Sequence, residues 1–515
     1  MANIEEHDLN NPSNPIQNEI AVLAKGSGIS LVGKLAGRGL QLLTHIVLAR
    51  GLGPTLYGLY TIGWTVLQIG SQVGLMGLEN GVIHFGGRAQ GMKDETYLSQ
   101  ALRHSLFLAL ISGLLVGGGI YLSAPYMAVN LLHQEALIGV LRDFGLALTL
   151  YIGLRVTSTA TRLSRRMQFS VLAGDIVPAV INIGFVVLLV YMMKRSLHGA
   201  LIAVWAGFGI GWLLAFYYLR QLFPGFARSQ SFSLELFKQL LFFSLPTFLA
   251  GMVTMLMQSA STLLIGYFRS PAEVGVYQAA VRVSMLSGII LVAFNAIFAP
   301  MIPALHQARQ KAQLNELFKV STKWALYSSL PLFLIIIFVP HQVMELIYGE
   351  AYAGGAWPLA ILSCAQLVST GTGAVGFLLI MTHHEKRWLL ISAVSFLLSI
   401  VLNLALIPLW GIRGAALATG VGIVASTLIA LFQVKRRLGL WPYDRRYLKG
   451  VLASLASALV ILVFKGLWVN LALWRVLFIT SLSIIAFTGV LFSLGMDEEE
   501  RSIATILARR YWRSA

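Results

Sequence analysis

Long apolar runs, broken by short polar turns, make up most of this chain. Runs of roughly 20 apolar residues, the length that crosses a bilayer as an α-helix, recur from about residue 29 to residue 495. They predict an all-α, polytopic membrane protein with about 14 transmembrane helices. The first six spans cover 29–49, 57–78, 98–122, 137–160, 171–193 and 199–219. The second half supplies 239–267, 275–300, 323–347, 356–381, 387–409, 412–434, 447–469 and 471–495.

Polar residues interrupt these runs in an ordered way. In the first span, ISLVGKLAGRGLQLLTHIVLA, the polar positions Lys34, Arg38, Gln41 and His45 are spaced i, i+4, i+7, i+11. On a helix that spacing is one stripe. A charge near the bilayer centre costs roughly 2.5–3.5 kcal/mol on insertion scales, while a Leu or Ile returns only about 0.5. The stripe is therefore expected to face protein or a water-filled cavity rather than lipid. Span two repeats the spacing with Thr61, Thr65, Gln68 and Gln72. Span seven carries Thr247, Gly251, Thr254, Gln258 and Thr262 on one face, and span eight has Gln278 and Arg282 one turn apart. Gln and Thr supply donors and acceptors for sugars, and Lys and Arg supply cations for phosphate. The candidate substrate-binding residues are therefore Lys34, Arg38, Arg282, Gln68, Gln72 and Gln258. Lys34 is also within snorkelling reach of the inner face. His45 suits a structural hydrogen bond as well as a ligand, and Gln41 and Gln258 also suit interhelical hydrogen bonds. On span five, Asp175 and Asn182 share a face. Asp175 is expected to pair with an arginine such as Arg155, or else to carry a coupling proton.

The chain also repeats itself. Pro271, Gly275 and Tyr277 follow Pro54, Gly58 and Tyr60 at a constant shift of 217 residues, which Gln41 and Gln258 share. Gly414, Ala415, Ala418 and Gly422 follow Gly199, Ala200, Ala203 and Gly207 at a shift of 215. Six spans separate the copies, so both run in the same direction across the membrane, as in parallel repeats related by an axis along the membrane normal. The organisation expected is a leader at 1–28, a six-helix lobe at 29–219, a linker at 220–238, a second lobe at 239–434, an extra helix pair at 447–495 and a tail at 496–515.

Composition narrows the function. Only 11% of residues are charged, against about 25% in a typical soluble domain. The net charge of +17 need not mean nucleic acid, because the basic residues gather in alternate loops. Arg162, Arg165 and Arg166 follow span four, and Lys435, Arg436, Arg437, Arg445, Arg446 and Lys449 follow span twelve, whereas 123–136 holds no Lys or Arg. By the positive-inside rule both termini are cytoplasmic. The single cysteine, Cys364, excludes an intrachain disulfide. No Walker loop, HExxH or CxxC occurs, so no cofactor, metal or enzymatic activity is expected.

The turn after span one, ARGLGPTLYGLY at 49–60, resembles the A-R-x-L-G-P-x-x-Y-G signature of the polysaccharide and oligosaccharide flippases, within the multidrug/oligosaccharidyl-lipid/polysaccharide exporter superfamily. GLMGLENGVIHFGG (74–87), GYFRSPAEVGVYQAAVRVS (266–284), LIYGEAYAGGAWPLAIL (346–362) and NLALIPLWGIRGAALATG (403–420) resemble later family segments in the same order. The resemblance implies two six-helix lobes around a central cavity plus a C-terminal helix pair. It implies alternating-access transport of a polyprenyl-(pyro)phosphate-linked oligosaccharide across the bacterial cytoplasmic membrane. Related lipid flippases hold the phosphates with cations on the first and eighth helices, where this chain has Lys34, Arg38 and Arg282. Pathway partners so implied are a polysaccharide polymerase or glycosyltransferases. A multidrug or cation exporter of the same superfamily is the alternative, although such exporters are expected to place acids in the cavity.

Overall fold

The computed structural model describes residues 15–164, 166–227, 234–299, 301–444, 446–467 and 473–494. The expected tail at 496–515, the leader before residue 15 and the centre of the expected linker at 220–238 lie outside the described residues. Among the described residues every regular element is helical, with no strand. The chain falls into two compact units, Met1–Gln278 and Ala279–Ala515.

The first unit contains α1 (Pro15–Leu75), α2 (Leu78–Gly91), α3 (Glu95–Tyr126), α4 (Leu137–Thr161), α5 (Met167–Val171), α6 (Val177–Val186), α7 (Ser196–Leu222), α8 (Leu234–Phe268) and the start of α9 (Pro271–Ser284). α1 is two legs joined at a kink. Gly53 holds φ 72° and ψ 171°, a conformation almost restricted to glycine, and Pro54 opens the second leg, where its missing N–H costs nothing. On a straight helix residues 45 and 57 would stand about 18 Å apart. Instead the Tyr57 hydroxyl lies 3.3 Å from His45 Nδ1, so the two legs fold back on each other. The second leg stops at Met76 (φ 45°) and Gly77 (φ 76°), a left-handed pair from which α2 departs.

Glycine sets how closely the helices of this unit approach. A Cβ on Gly145 of α4 would lie 2.8 Å from the Gly117 carbonyl oxygen of α3, and one on Gly113 would lie 3.0 Å from the Thr149 Cα. Backbones this close gain van der Waals contact that lipid tails cannot match. Across the same helix, α4 meets α7 where Trp212 Nε1 donates to Thr157 Oγ1 at 3.2 Å. Between α5 and α6 the helix widens into a π turn, Leu172–Ile176.

The second unit continues with α10 (Leu286–Phe298), α11 (Met301–Gln307), α12 (Lys311–Phe338), α13 (Pro340–Tyr348), α14 (Ala356–Thr372), α15 (Val375–Met381), α16 (Glu385–Leu438), α17 (Tyr447–Leu467) and α18 (Leu473–Ser493). α16 is a second folded-back helix. Gly411 holds φ 56°, and a Cβ on Gly422 would lie 3.0 Å from Ser399 Cβ, twenty-three residues earlier. Phe298, Phe318, Leu378, Leu379 and Leu431 form part of this unit's apolar core. The α17–α18 pair is tied by Ser457 to Ser483 at 2.6 Å and attached to α12 through Tyr327, whose hydroxyl donates to the Arg446 carbonyl at 2.6 Å. Arg446 also meets Glu316 at 2.7 Å, fixing the connection before α17 onto the start of α12.

Among the described residues ten helices are long and apolar enough to cross a membrane. The folded-back α16 counts as one of them, and α1 falls outside the ten, so fourteen remains an expectation. Leu115 and Leu122 are 71% and 80% exposed, which in water would be a liability and in a bilayer is the lipid-facing surface.

Candidate substrate-binding site

The stripe of α1 divides into two chemistries. Gly33 packs against Val171, and the Cβ position of Gly37 lies 3.0 Å from Asp175 Cβ, so the glycine face turns toward α5 and the π turn. Arg38 and Gln41 are exposed on the remaining surface of the leg. Lys34 lies on the same helix, and its side chain is outside the described residues. His45 is different. It is 2% exposed and sits among Tyr57, Tyr60 and Trp64, with ring centroids 6.1–6.2 Å away. Its bond to Tyr57 fastens the two legs of α1 across the kink, which is a structural role.

On the second leg, Thr61 and Thr65 are buried and donate to carbonyls of their own helix, to Gly58 at 2.9 Å and Thr61 at 2.8 Å. They are thus satisfied without a ligand. Gln68 and Gln72 are half-buried, and the Gln72 amide occupies the space beside Gly251 of α8. This brings the polar faces of α1 and α8 together, with Gln258 exposed further along α8. Thr262 of α8 accepts a hydrogen bond from the Gln278 amide of α9. On the part of α9 that belongs to the second unit, Arg282 is half-buried, and its Nε is buried without a hydrogen-bond partner among the described residues.

Arg155 and Asp175 belong to a separate ionic cluster. The Arg155 guanidinium meets Glu79 of α2 at 2.9 Å, and Thr159 Oγ1 donates to the same carboxylate at 3.3 Å. Arg162 Nε donates to Ser170 Oγ at 2.9 Å. Asp175, on the π turn, acts on Arg155 and Arg162 through its charge. The direct partner of Arg155 is thus Glu79, an acid in the first turn of α2 that sequence reasoning passed over. Its signal was a lone carboxylate at the edge of an apolar run, seventy-six positions from its arginine. Among the described residues no group of three or more His, Cys, Asp or Glu gathers as metal ligands.

With this geometry in hand, comparison with known proteins identifies the family. The family described as polysaccharide biosynthesis protein matches residues 23–306, more than half of the chain. The chain belongs to that family. A second family, MatE, matches residues 246–405. Among curated proteins the chain is 24% identical over 166 residues to the probable low-salt glycan biosynthesis flippase Agl15 of Haloferax volcanii. It is 26% identical over 176 residues to the probable flippase AglR of the same organism. These alignments take in 32% and 33% of this chain and 35% and 36% of the relatives, so about a third of each relative's length is matched. Among solved structures, the lipid II flippase MurJ in an inward closed conformation superposes with a TM-score of 0.72 at 15% identity, over 90% of this chain and 98% of that one. An inward-facing multidrug resistance MATE family transporter of the MOP superfamily superposes at 0.64 and 17% identity, over 78% and 94%. At these identities the likeness is one of fold. This member of the polysaccharide biosynthesis family is a multi-pass membrane protein with the MurJ and MATE fold.

Proposed function

We propose that the chain is a flippase that carries a polyprenyl-(pyro)phosphate-linked oligosaccharide across the cytoplasmic membrane by alternating access, for surface polysaccharide biosynthesis. The observation that carries this reading is the Arg282 guanidinium of α9, whose buried Nε has no hydrogen-bond partner among the described residues. A buried donor left unpaired costs about 1–3 kcal/mol, more when charged, so a ligand that satisfies it gains that much. Phosphate is the natural complement of guanidinium. Arg38 and Lys34 add further cations, and Gln68, Gln72 and Gln258 add the donors and acceptors a sugar needs. The polyprenyl tail stays in lipid while the head group crosses, which avoids hydrating an apolar chain at about 0.8 kcal/mol per CH2. The work is binding and release, with no covalent step. Both termini face the cytoplasm on this reading, where the basic loops lie. The positions of Asp175 and Arg155 suit coupling through charge in the first unit.

The match of MatE to residues 246–405 favours a second reading, a multidrug or cation exporter. Substitution in the native host separates the two. Arg38→Ala and Arg282→Ala are each expected to lower surface glycan by about tenfold or more, the effect of losing a charge-assisted hydrogen bond of about 1.5–3 kcal/mol, with membrane protein levels unchanged. Accumulation of the lipid-linked precursor would accompany the loss. Normal surface glycan in both variants overturns the flippase, and glycan-independent drug sensitivity on deletion supports the exporter.

A further inference from the structure

Two glycines make a backbone contact that the binding site does not use. A Cβ built on Gly58 would fall on the carbonyl oxygen of Pro271, with the Gly275 amide nitrogen 3.1 Å away. A Cβ built on Gly275 would fall on the carbonyl oxygen of Pro54, with the Gly58 amide nitrogen 3.0 Å away. Each Pro-x-x-x-Gly turn thus presents its proline carbonyl to the other turn's glycine Cα. The four residues are not an arbitrary set. Pro54 and Pro271, and Gly58 and Gly275, are the same positions of the internal repeat, 217 residues apart. Residue i of one copy meets residue j of the other and j meets i, the arrangement of a two-fold interface. The contact itself is therefore locally two-fold.

Both prolines begin a helix, Pro54 the second leg of α1 and Pro271 α9, so the contact sits where two helices start. Glycine Cα–H groups directed at carbonyl oxygens hold it, and such contacts are individually weak. The four residues meet through backbone atoms, and beside them Tyr57, Tyr60, Val274 and Tyr277 are buried. Glycine also makes the contact all-or-none, because the smallest side chain at either position occupies the oxygen's place. We propose that this reciprocal Pro-x-x-x-Gly crossing is a gate. Closed, as described, it seals the Pro54 side of the membrane; parted, it opens the polar faces of α1 and α8 to that side. This rests on the alternating-access reading above, and it gives the Gly58 of the family signature a conformational task.

The test uses thiol access in oriented membrane vesicles, in a Cys364→Ser background with Gln68→Cys as reporter and an impermeant maleimide on the Pro54 side. Gly58→Ala and Gly275→Ala should each raise labelling by about tenfold or more, as when a state populated at a few per cent becomes dominant. Gly39→Ala, with nothing within 4 Å of its Cβ position, should leave labelling unchanged. Unchanged labelling in both folded alanine variants overturns the gate. As a second measurement with the glycines intact, a short bismaleimide joining Thr55→Cys to Ala272→Cys should reduce labelling from that side to background, and labelling undiminished by the tether overturns the gate as well. If labelling rises in the alanine variants although the wild-type chain moves no lipid-linked glycan, the gate stands and the flippase reading falls. If glycan export is lost with labelling unchanged, the gate falls and the flippase reading stands.

Discussion

Charge is costly in this chain, and its residues reveal how each charge is accommodated. Arg155 has Glu79 at 2.9 Å, whereas Arg282 carries a buried Nε with no partner among the described residues. The first arrangement is a tie between helices, and the second is the basis of the anion site proposed above. Both side chains of the Glu79–Arg155 pair are about 30% exposed, which moderates its strength. A double-mutant cycle of Glu79→Gln and Arg155→Gln, read by thermal unfolding in detergent, should give a coupling of about 0.5–3 kcal/mol. Strictly additive single variants would show that the contact does not tie α2 to α4. Arg38 and Arg282 stand out in the sequence because a charge inside an apolar run is conspicuous by itself. For His45 the sequence left a structural hydrogen bond and a ligand role equally open, and the bond to Tyr57 favours the first. Its spacing placed it on the polar stripe, and only the folding back of α1 buries it against Tyr57.

At the scale of elements, glycine decides where helices bend and how closely they pack. Gly53→Ala meets no atom within 4 Å of the added Cβ, so its cost is backbone strain alone. We expect a loss of about 1–3 kcal/mol in thermal unfolding. A melting temperature equal to that of the wild type would mean the kink tolerates a side chain. Gly117→Leu, by contrast, drives a side chain into the α4 backbone and should cost about 1–3 kcal/mol or more. Gly118→Leu, on the open side of the same helix, should leave stability unchanged or slightly raised. Equal effects of the two leucines would contradict the α3–α4 packing. Apolar run length located two of these breaks. The expected break between 49 and 57 contains the kink at Gly53, and the break between 267 and 275 contains the start of α9 at Pro271. The π turn at Leu172–Ile176 was not legible, because hydropathy is the same whether a turn closes on the fourth or the fifth residue.

At the scale of the molecule, the helical membrane fold and the family were readable from apolar runs, ordered motifs and the repeat. The substrate was not, because Gln, Thr, Lys and Arg recognise any sugar phosphate. Which side chains meet across helices also leaves no mark on spacing, since periodicity reports only the face within one helix. Reconstitution tests the central claim most directly. The purified chain would be placed in liposomes whose lumenal leaflet carries a fluorescent polyprenyl-diphosphate-linked oligosaccharide, and arrival of the glycan at the outer surface followed by lectin binding. The expected result is translocation well above protein-free liposomes, reduced by about tenfold or more in Arg282→Ala. Translocation no faster than in protein-free liposomes, or undiminished in the Arg38→Ala and Arg282→Ala variants, would contradict it.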